Sequence, residues 1–467
     1  MRLKKYLPNT SILKYKIQKN LNDVHFGEVL KGSIFTFLAR GLGVFFALIL
    51  QVIIARFYGA DVLGVTELIN SFLTTVVIFA LMGTQVSILR FIPEYSNKYS
   101  PLIAFKVYRK ILCFIILFAV VLSFITYLKA DFIAGKIFKK PQFLSFFILA
   151  AFFVPIRSLY EYYMAVSRGL KLIKGFAFLQ LSLSLSNLII LSILTLFFYQ
   201  KFNPVYSLLA AFITTTLIGF ILSELEFKKI KNLVINTNFI DSKSTIQSPK
   251  LLHLLFISFP MFLTKSMNYI NNQVGVLLLG IFCSESEIGY YTIAVKLAML
   301  ISFILTAINS MIAPKFSELY YSGKLNELFQ VARKSTKMIF WSTAPILISL
   351  IVFGKFVLLN FFGLNFIKSY TPLLIIIVGQ FINAICGPVG YFLNMTGNER
   401  FVSFVILISC IINIVLGYAL IPKYGINGSA VASAISIIFW NLTMVSFVKI
   451  KYKFLFIYNP LFFRCKK

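Results

Sequence analysis

Charged residues are scarce in this chain of 467 residues. They make up 13 % of the sequence, whereas hydrophobic residues make up 59 %. A soluble domain of ordinary composition carries about 25 % charged residues, so most of this chain has no water-facing surface to cover. The apolar runs extend over roughly 20 residues, the length that a helix needs to cross a bilayer. Because backbone polar groups in lipid require internal partners, the sequence predicts an all-α, polytopic membrane protein.

Residues for metal, disulfide and nucleotide chemistry are also few. The chain has two histidines and five cysteines, and the cysteines show no paired spacing. Zinc sites and disulfide frameworks need closely spaced His and Cys residues, so we expect neither, and no cofactor. The sequence lacks a G-x-x-x-x-G-K-[ST] loop and a cluster of acids with histidines. These absences exclude a built-in ATPase and argue against an enzyme.

Acidic residues are outnumbered by basic residues, 15 to 45, which gives a formal net charge of +30. Most Lys and Arg residues fall between or beyond the apolar runs and are concentrated on one side of the predicted membrane. The positive-inside rule then places both termini in the cytoplasm of a multi-pass plasma-membrane protein. This distribution accounts for the basic excess without nucleic-acid binding.

Twelve apolar runs are long enough to be spans, and a basic stretch divides them into two sets of six. We expect residues 1–31 to form a basic, amphipathic cytoplasmic N-terminus and residues 449–467 to form a basic cytoplasmic tail. Two six-helix lobes would occupy residues 32–224 and 251–448, joined by a cytoplasmic linker at residues 225–250.

The two predicted lobes resemble copies of each other. Ala60–Gly64, after the first span, corresponds to Glu285–Gly289 after the seventh, and Phe91–Ser96 corresponds to Ile312–Ser317. The offset between the glycines that end the first pair of segments is nearly equal to the offset between the prolines of the second pair. Because six spans separate the copies, both have the same orientation. Such a parallel repeat predicts pseudo-symmetric lobes around an axis along the membrane normal, with a central cavity between them.

Two basic residues lie inside predicted spans, Arg40 in the first and Lys265 in the seventh. Their offset equals that between the repeated glycines, so they occupy matching positions of the two lobes. A charge inside the bilayer is costly and commonly marks a substrate path. Two cations favour an anionic, phosphorylated cargo held between them. The alternatives are ion pairs with Glu67 or Glu161, or side chains that reach the membrane interface.

The seventh span has a polar face around Lys265. Asn268 and Asn272 fall on this face, and Gln273 lies slightly to one side. Carboxamides are suitable partners for sugar hydroxyls, so we predict that these residues bind substrate together with Lys265. The alternative is interhelical hydrogen bonding that only packs the bundle.

Two further charged residues have more than one interpretation. Lys296, in the eighth span, extends the basic track outward and is a candidate substrate contact. Glu67, in the second span, could carry a coupling proton or cation. It could also balance the charge of Arg40 or Lys296, and charge balance is the favoured interpretation.

Three segments of the first lobe carry a family resemblance: Gly32–Phe35, Arg56–Gly59 and Arg90–Tyr95. In these segments the chain resembles the polysaccharide transporters, which are the oligosaccharide-lipid flippases of the MOP superfamily. The resemblance implies twelve transmembrane helices in two lobes around a V-shaped, cationic cavity. It also implies export of a polyprenyl-phosphate-linked or polyprenyl-diphosphate-linked glycan by alternating access. Basic cavity residues of that family correspond to Arg40 and Lys265.

The combined expectation is a flippase that moves a lipid-linked oligosaccharide from the inner to the outer leaflet for cell-surface glycan assembly. Its other partners would be membrane lipids, H⁺ or Na⁺ as coupling ion, and glycan polymerase or ligase machinery. One alternative is a multidrug or cation antiporter of the same superfamily, although those proteins carry an acid in an early span and this chain carries Arg40. The other is a membrane glycosyltransferase or polymerase, for which the short external loops offer few acids.

Overall fold

Helices account for nearly all of the described chain. A computed structural model describes residues 24–236 and 249–456. The helices before residue 237 are α1 Val24–Phe57, α2 Gly59–Leu81, α3 Thr84–Lys98, α4 Pro101–Leu128, α5 Leu144–Gly169, α6 Ile173–Phe197 and α7 Asn203–Asn236. The helices after residue 248 are α8 Leu251–Phe282, α9 Glu285–Tyr321, α10 Leu325–Val357, α11 Tyr370–Cys386, α12 Val389–Met395 and α13 Glu399–Tyr452. We call these two sets the first half and the second half.

The predicted all-α membrane fold is confirmed. Among the described residues, ten helical stretches are long and apolar enough to cross a bilayer. Helix α8 is not one of the ten, because polar residues from Lys265 to Gln273 interrupt its apolar sequence. A polar helix of 32 residues inside such a bundle must direct its polar face toward protein or a wet cavity.

Three breaks with positive φ angles interrupt the helices. Met82 and Gly83, with φ of 43° and 77°, separate α2 from α3 within the predicted second span. Gly387, with φ of 62°, separates α11 from α12 just before Pro388. Gly425, with φ of 54°, divides α13 into two arms. Glycine reaches this left-handed region without a Cβ clash, so most of these breaks occur at glycine.

The two halves meet where α2 crosses α9. The glycines matched by the sequence repeat, Gly64 on α2 and Gly289 on α9, lie at this crossing. An added Cβ on Gly64 would lie 1.8 Å from the carbonyl oxygen of Glu285, and one on Gly289 would lie 2.1 Å from that of Ala60. Small residues allow helix backbones in membranes to approach this closely. The reciprocal contact indicates a pseudo-twofold axis between α2 and α9.

Two polar contacts connect the halves around this crossing. In the loop between α4 and α5, the Lys140 ammonium donates to the carbonyl oxygen of Cys283 at 3.0 Å and to the Glu285 carboxylate at 2.8 Å. The second contact is also donated by the first half: Arg56 at the end of α1 donates from Nε to the carbonyl oxygen of Phe361 at 2.9 Å. We call these contacts the outer clasps, because the predicted topology places this end of the bundle outside the cell.

Replacing Lys140 with methionine should loosen this end of the bundle. Lys140 is 7 % exposed, so methionine preserves most of the packed volume while it removes both hydrogen bonds. We expect a membrane-impermeant maleimide to modify Cys283 several-fold faster than in the unsubstituted protein, with the site assigned by peptide mass. Gln200→Met, at an exposed loop residue, is the control. Unchanged labelling of Cys283 would show that this clasp does not close the outer end.

Candidate functional site

A cavity of about 1090 Å³ lies among the helices of the second half. Its walls come from α8, α9, α11, α12 and both arms of α13, and Val86 of α3 adds a contact from the first half. Pockets for drug-sized ligands have volumes of about 300–1,000 Å³. The cavity therefore has room for a ligand larger than a single small metabolite.

Three charged side chains line the cavity, and all lie toward one end. Glu399 and Arg400 begin α13, and Lys265 lies near them because the adjacent Thr264 hydroxyl is 3.2 Å from the Ser403 hydroxyl. All three charged side chains are exposed, and within the described ranges none has an ion-pair partner. Two cations and one carboxylate leave a net positive charge at this end, which we call the charged end.

A layer of amide and hydroxyl groups lies deeper in the cavity. Asn413 donates to the backbone oxygen of Asn271 at 3.0 Å and to its side-chain oxygen at 2.9 Å. Ser436 donates to the same side-chain oxygen at 3.0 Å and is 2.7 Å from the Ser409 hydroxyl. This amide layer joins α8 to both arms of α13. Along α8, Asn271 is about 9 Å beyond Lys265, as the rise per residue of an α-helix requires.

The far end of the cavity is formed by Tyr291 and Ser433, whose hydroxyls are 3.1 Å apart. The Tyr291 hydroxyl lies beside Gly275, where an added Cβ would be 2.5 Å from it. Gly275 is about 15 Å beyond Lys265 along α8. Apart from the charged end, the cavity lining in the described part of the chain consists of neutral side chains.

Two of the predicted substrate-binding amides line the cavity, and one does not. The Asn268 amide donates to the carbonyl oxygen of Thr264 at 2.9 Å, and the Asn272 amide donates to that of Asn268 at 2.8 Å. Both side chains face the cavity, and Asn272 is exposed. Gln273 instead faces α2, where its side-chain oxygen accepts a hydrogen bond from Ser71 at 2.8 Å.

Lys296 and Glu67 lie at the contact between the halves. They form an ion pair that joins α9 to α2, and Gln51 of α1 donates to the same carboxylate at 3.3 Å. The described lining of the cavity includes neither Lys296 nor Glu67. In this arrangement the two opposite charges neutralise each other.

Arg40 lies apart from the cavity. Its side chain is exposed, and it is close enough to Arg168 for the two charges to repel each other. The adjacent Gly41 faces the second half, where an added Cβ would lie 3.8 Å from the Phe303 ring. The residues known to line the cavity include Lys265 but not Arg40, so the structure does not place these matched cations in one site.

Several lining residues were not predicted from the sequence, including Asn271, Asn309, Arg400 and Asn413. Asn309 is 1 % exposed, and its Oδ1 atom has no hydrogen-bond partner among the described residues. A single asparagine within an apolar span is the signal that could have identified Asn309 and Asn413, because amides in lipid require partners. Arg400 begins a helix and is not distinguishable in sequence from other basic residues at span ends.

The sequence matches the family model described as polysaccharide biosynthesis protein over residues 29–320, which is more than half of the chain. The chain belongs to this family. A second family model, MatE, matches residues 260–419, which include most of α8 and the first arm of α13. The predicted relationship to the flippases of the MOP superfamily is therefore confirmed.

A curated relative of this polysaccharide biosynthesis family member matches less than half of the chain. The probable low-salt glycan biosynthesis flippase Agl15 of Haloferax volcanii is 26 % identical over 192 residues. That match spans 40 % of this chain and 40 % of the relative.

Solved structures show the same fold over nearly the whole chain. The lipid II flippase MurJ in an inward closed conformation has a TM-score of 0.69 at 17 % identity, covering 90 % of this chain and 87 % of MurJ. An inward-facing multidrug resistance MATE family transporter of the MOP superfamily has a TM-score of 0.65 at 13 % identity, covering 90 % and 98 %. At these identities the likeness establishes the fold and not the cargo.

Proposed function

We propose that this protein moves a polyprenyl-phosphate-linked or polyprenyl-diphosphate-linked oligosaccharide from the inner to the outer leaflet of the plasma membrane by alternating access. The delivered glycan would serve cell-surface polysaccharide assembly. The observation that carries this proposal is an amide-lined cavity inside a bundle of membrane helices, with a lysine at one end that has no ion-pair partner in the described part of the chain. In the proposed substrate a charged phosphate is followed by polar, uncharged sugar groups. This is the order in which charged and polar side chains follow each other along the cavity. The relatives Agl15 and MurJ are both named as flippases, which supports the same class.

The charged end would bind the phosphate, and the deeper cavity would bind the sugars. Lysine and arginine form charge-assisted hydrogen bonds with phosphate oxygens, which suits Lys265 and Arg400. Carboxamides donate and accept hydrogen bonds, as sugar hydroxyls do, which suits Asn268, Asn272 and the amide layer. The polyprenyl chain would stay in the bilayer, since each buried methylene favours an apolar environment by about 0.8 kcal/mol.

The other predicted site residues have different roles in this proposal. Arg40 and Arg168 would form a second cationic patch on the path of the phosphate, outside the cavity. Lys296 would remain neutralised by Glu67 at the contact between the halves. Gln273 would pack α8 against α2.

The proposal includes twelve spans with both termini in the cytoplasm. In the described ranges ten stretches qualify by length and hydropathy, and Glu399–Tyr452, one of the ten, has 54 residues and is divided by Gly425. Counting its two arms separately and adding α8 gives twelve. Each arm is long enough to cross a bilayer, since an α-helix rises by about 1.5 Å per residue.

The lobes of this proposal keep the predicted boundaries, residues 32–224 and 251–448. Helix α7 continues to Asn236, so the first part of the predicted linker at residues 225–250 extends a span as helix. The rest of the linker at 237–248, most of the predicted N-terminal segment and the end of the tail lie outside the described residues.

The membrane potential would supply energy for this movement. An inside-negative potential favours outward movement of a negative charge by about 2.3 kcal/mol per 100 mV. Exchange with H⁺ or Na⁺ is the competing energy source. Glycan polymerase or ligase machinery would take the delivered substrate.

Replacing Glu67 with glutamine should lower the melting temperature without removing any response of transport to a pH gradient. Breaking a fully buried ion pair costs about 3–5 kcal/mol, and because these side chains are 15 % and 29 % exposed we expect about 2 kcal/mol. The double variant Glu67→Gln with Lys296→Gln should recover most of the stability, since it leaves no unpaired charge. Loss of a pH-gradient response in a stable Glu67→Gln protein would instead assign proton coupling to Glu67.

Reconstitution provides the direct test of the proposed function. Purified protein in liposomes should transfer a fluorescent polyprenyl-diphosphate-linked oligosaccharide between leaflets faster than protein-free liposomes do. The mass of the oligosaccharide should stay unchanged, whereas a glycosyltransferase or polymerase would alter it. Transfer no faster than in protein-free liposomes would contradict the proposal. Efflux of cationic dyes by cells that express the chain would favour the antiporter alternative.

A further inference from the structure

We infer that the sugars that enter the cavity are neutral, and that the protein selects against glycans with an acidic sugar in this position. This inference rests on the proposed function and specifies its substrate class. It follows from the positions of charge in the cavity.

Charge in the cavity lining is confined to one end. Lys265, Glu399 and Arg400 lie there, and the other lining residues of the described chain are uncharged. The amide layer is about 9 Å beyond Lys265 along α8, and the far end at Tyr291 and Ser433 is about 15 Å beyond it. Lys296 lies on the α9 face toward α2, where it pairs with Glu67 and so is not available as a partner for a ligand.

A carboxylate carried to the amide layer would lose its water without gaining a cation. Burial of an unpaired charge is far more costly than burial of a hydroxyl that finds hydrogen-bond partners. Hydroxyl and acetamido groups of a neutral sugar can exchange hydrogen bonds with the carboxamides of Asn268 and Asn272, which line the cavity. The same lining that binds a neutral sugar therefore rejects an acidic one.

A matched pair of lipids tests this inference. Both carry the same oligosaccharide on the same polyprenyl diphosphate, but one has a hexose where the other has the corresponding uronic acid. Binding to the full-length protein in nanodiscs should be at least about tenfold tighter for the neutral lipid. Equal affinities, or tighter binding of the acidic lipid, would overturn the inference and leave the proposed function standing. If neither lipid binds, the proposed function itself fails.

Two substitutions connect the selectivity to the cavity. Asn272→Lys places a cation on an exposed cavity position beyond the charged end, so it should tighten binding of the acidic lipid and reduce the affinity ratio several-fold. Gln200→Lys adds the same charge on an exposed loop and should leave the ratio unchanged. If Asn272→Lys leaves the affinity ratio unchanged, the assignment of selectivity to this cavity is contradicted.

Discussion

Replacing Lys265 with glutamine should reduce transport of a lipid-linked oligosaccharide by about 10–100-fold, because a hydrogen bond to a charged group contributes about 1.5–3 kcal/mol. Glutamine keeps a polar side chain at this position but removes the charge that would hold the phosphate. Lys265 is exposed to the cavity and has no ion-pair partner among the residues described, so the protein should remain folded. The measurement is the initial rate of leaflet-to-leaflet transfer in liposomes.

Two controls separate charge from position in this experiment. Lys265→Arg retains the charge and should retain most of the transport rate. Lys174→Gln removes an exposed lysine outside the cavity and should have no effect. Arg40→Gln should have a smaller effect than Lys265→Gln, because Arg40 lies outside the cavity. An undiminished rate in the Lys265→Gln protein would contradict the assignment of the phosphate to Lys265.

Substituting alanine for Gly64 should prevent the two halves from closing where α2 crosses α9. The new Cβ would lie 1.8 Å from the carbonyl oxygen of Glu285 and 2.8 Å from its carbonyl carbon. Backbone atoms cannot rotate out of the way as a side chain can, so the helices must separate. Overpacking typically costs about 1–3 kcal/mol, and we expect the upper end of this range together with loss of most transport.

The substitution Gly289→Ala should have the same effect, since it meets the Ala60 carbonyl from the other half. Melting temperature and transport rate measure the effect, and maleimide labelling of Cys283 reports opening at the outer end. Gly135→Ala is the matched control, because an added Cβ there meets nothing within 4 Å. Normal melting and transport in the Gly64→Ala protein would show that close approach of α2 and α9 is not needed.

The internal repeat matched residues that pack at the contact between α2 and α9, but it did not indicate which charged side chains line the cavity. Gly64 and Gly289, which the repeat matches, contact each other's helices, as residues beside a pseudo-twofold axis must. Arg40 and Lys265 are separated by the same offset along the chain, yet only Lys265 lines the cavity. A symmetry axis relates backbone positions, whereas the surroundings of a side chain away from the axis depend on the different residues of each half.

The polar run on α8 shows how far a helical pattern can specify a site. A helical wheel centred on Lys265 predicted that Asn268 and Asn272 share its face, and both residues line the cavity. It also suggested Gln273, which contacts Ser71 instead, and it left out Asn271, which anchors the amide layer. The periodicity of one helix indicates which residues share a face but not which neighbouring helix that face meets.

The sequence by itself determined that this chain is a helical membrane protein, and it predicted two related halves and a costly cation inside a span. Those conclusions depend on transfer of side chains from water to lipid and on helix length, which are properties of short segments. Only the tertiary structure decided which polar groups share a cavity. Lys265 is far along the chain from Arg400 and Asn413, and its proximity to them depends on how α8 packs against the first arm of α13. That packing is set by shape complementarity between distant segments, which no local pattern records.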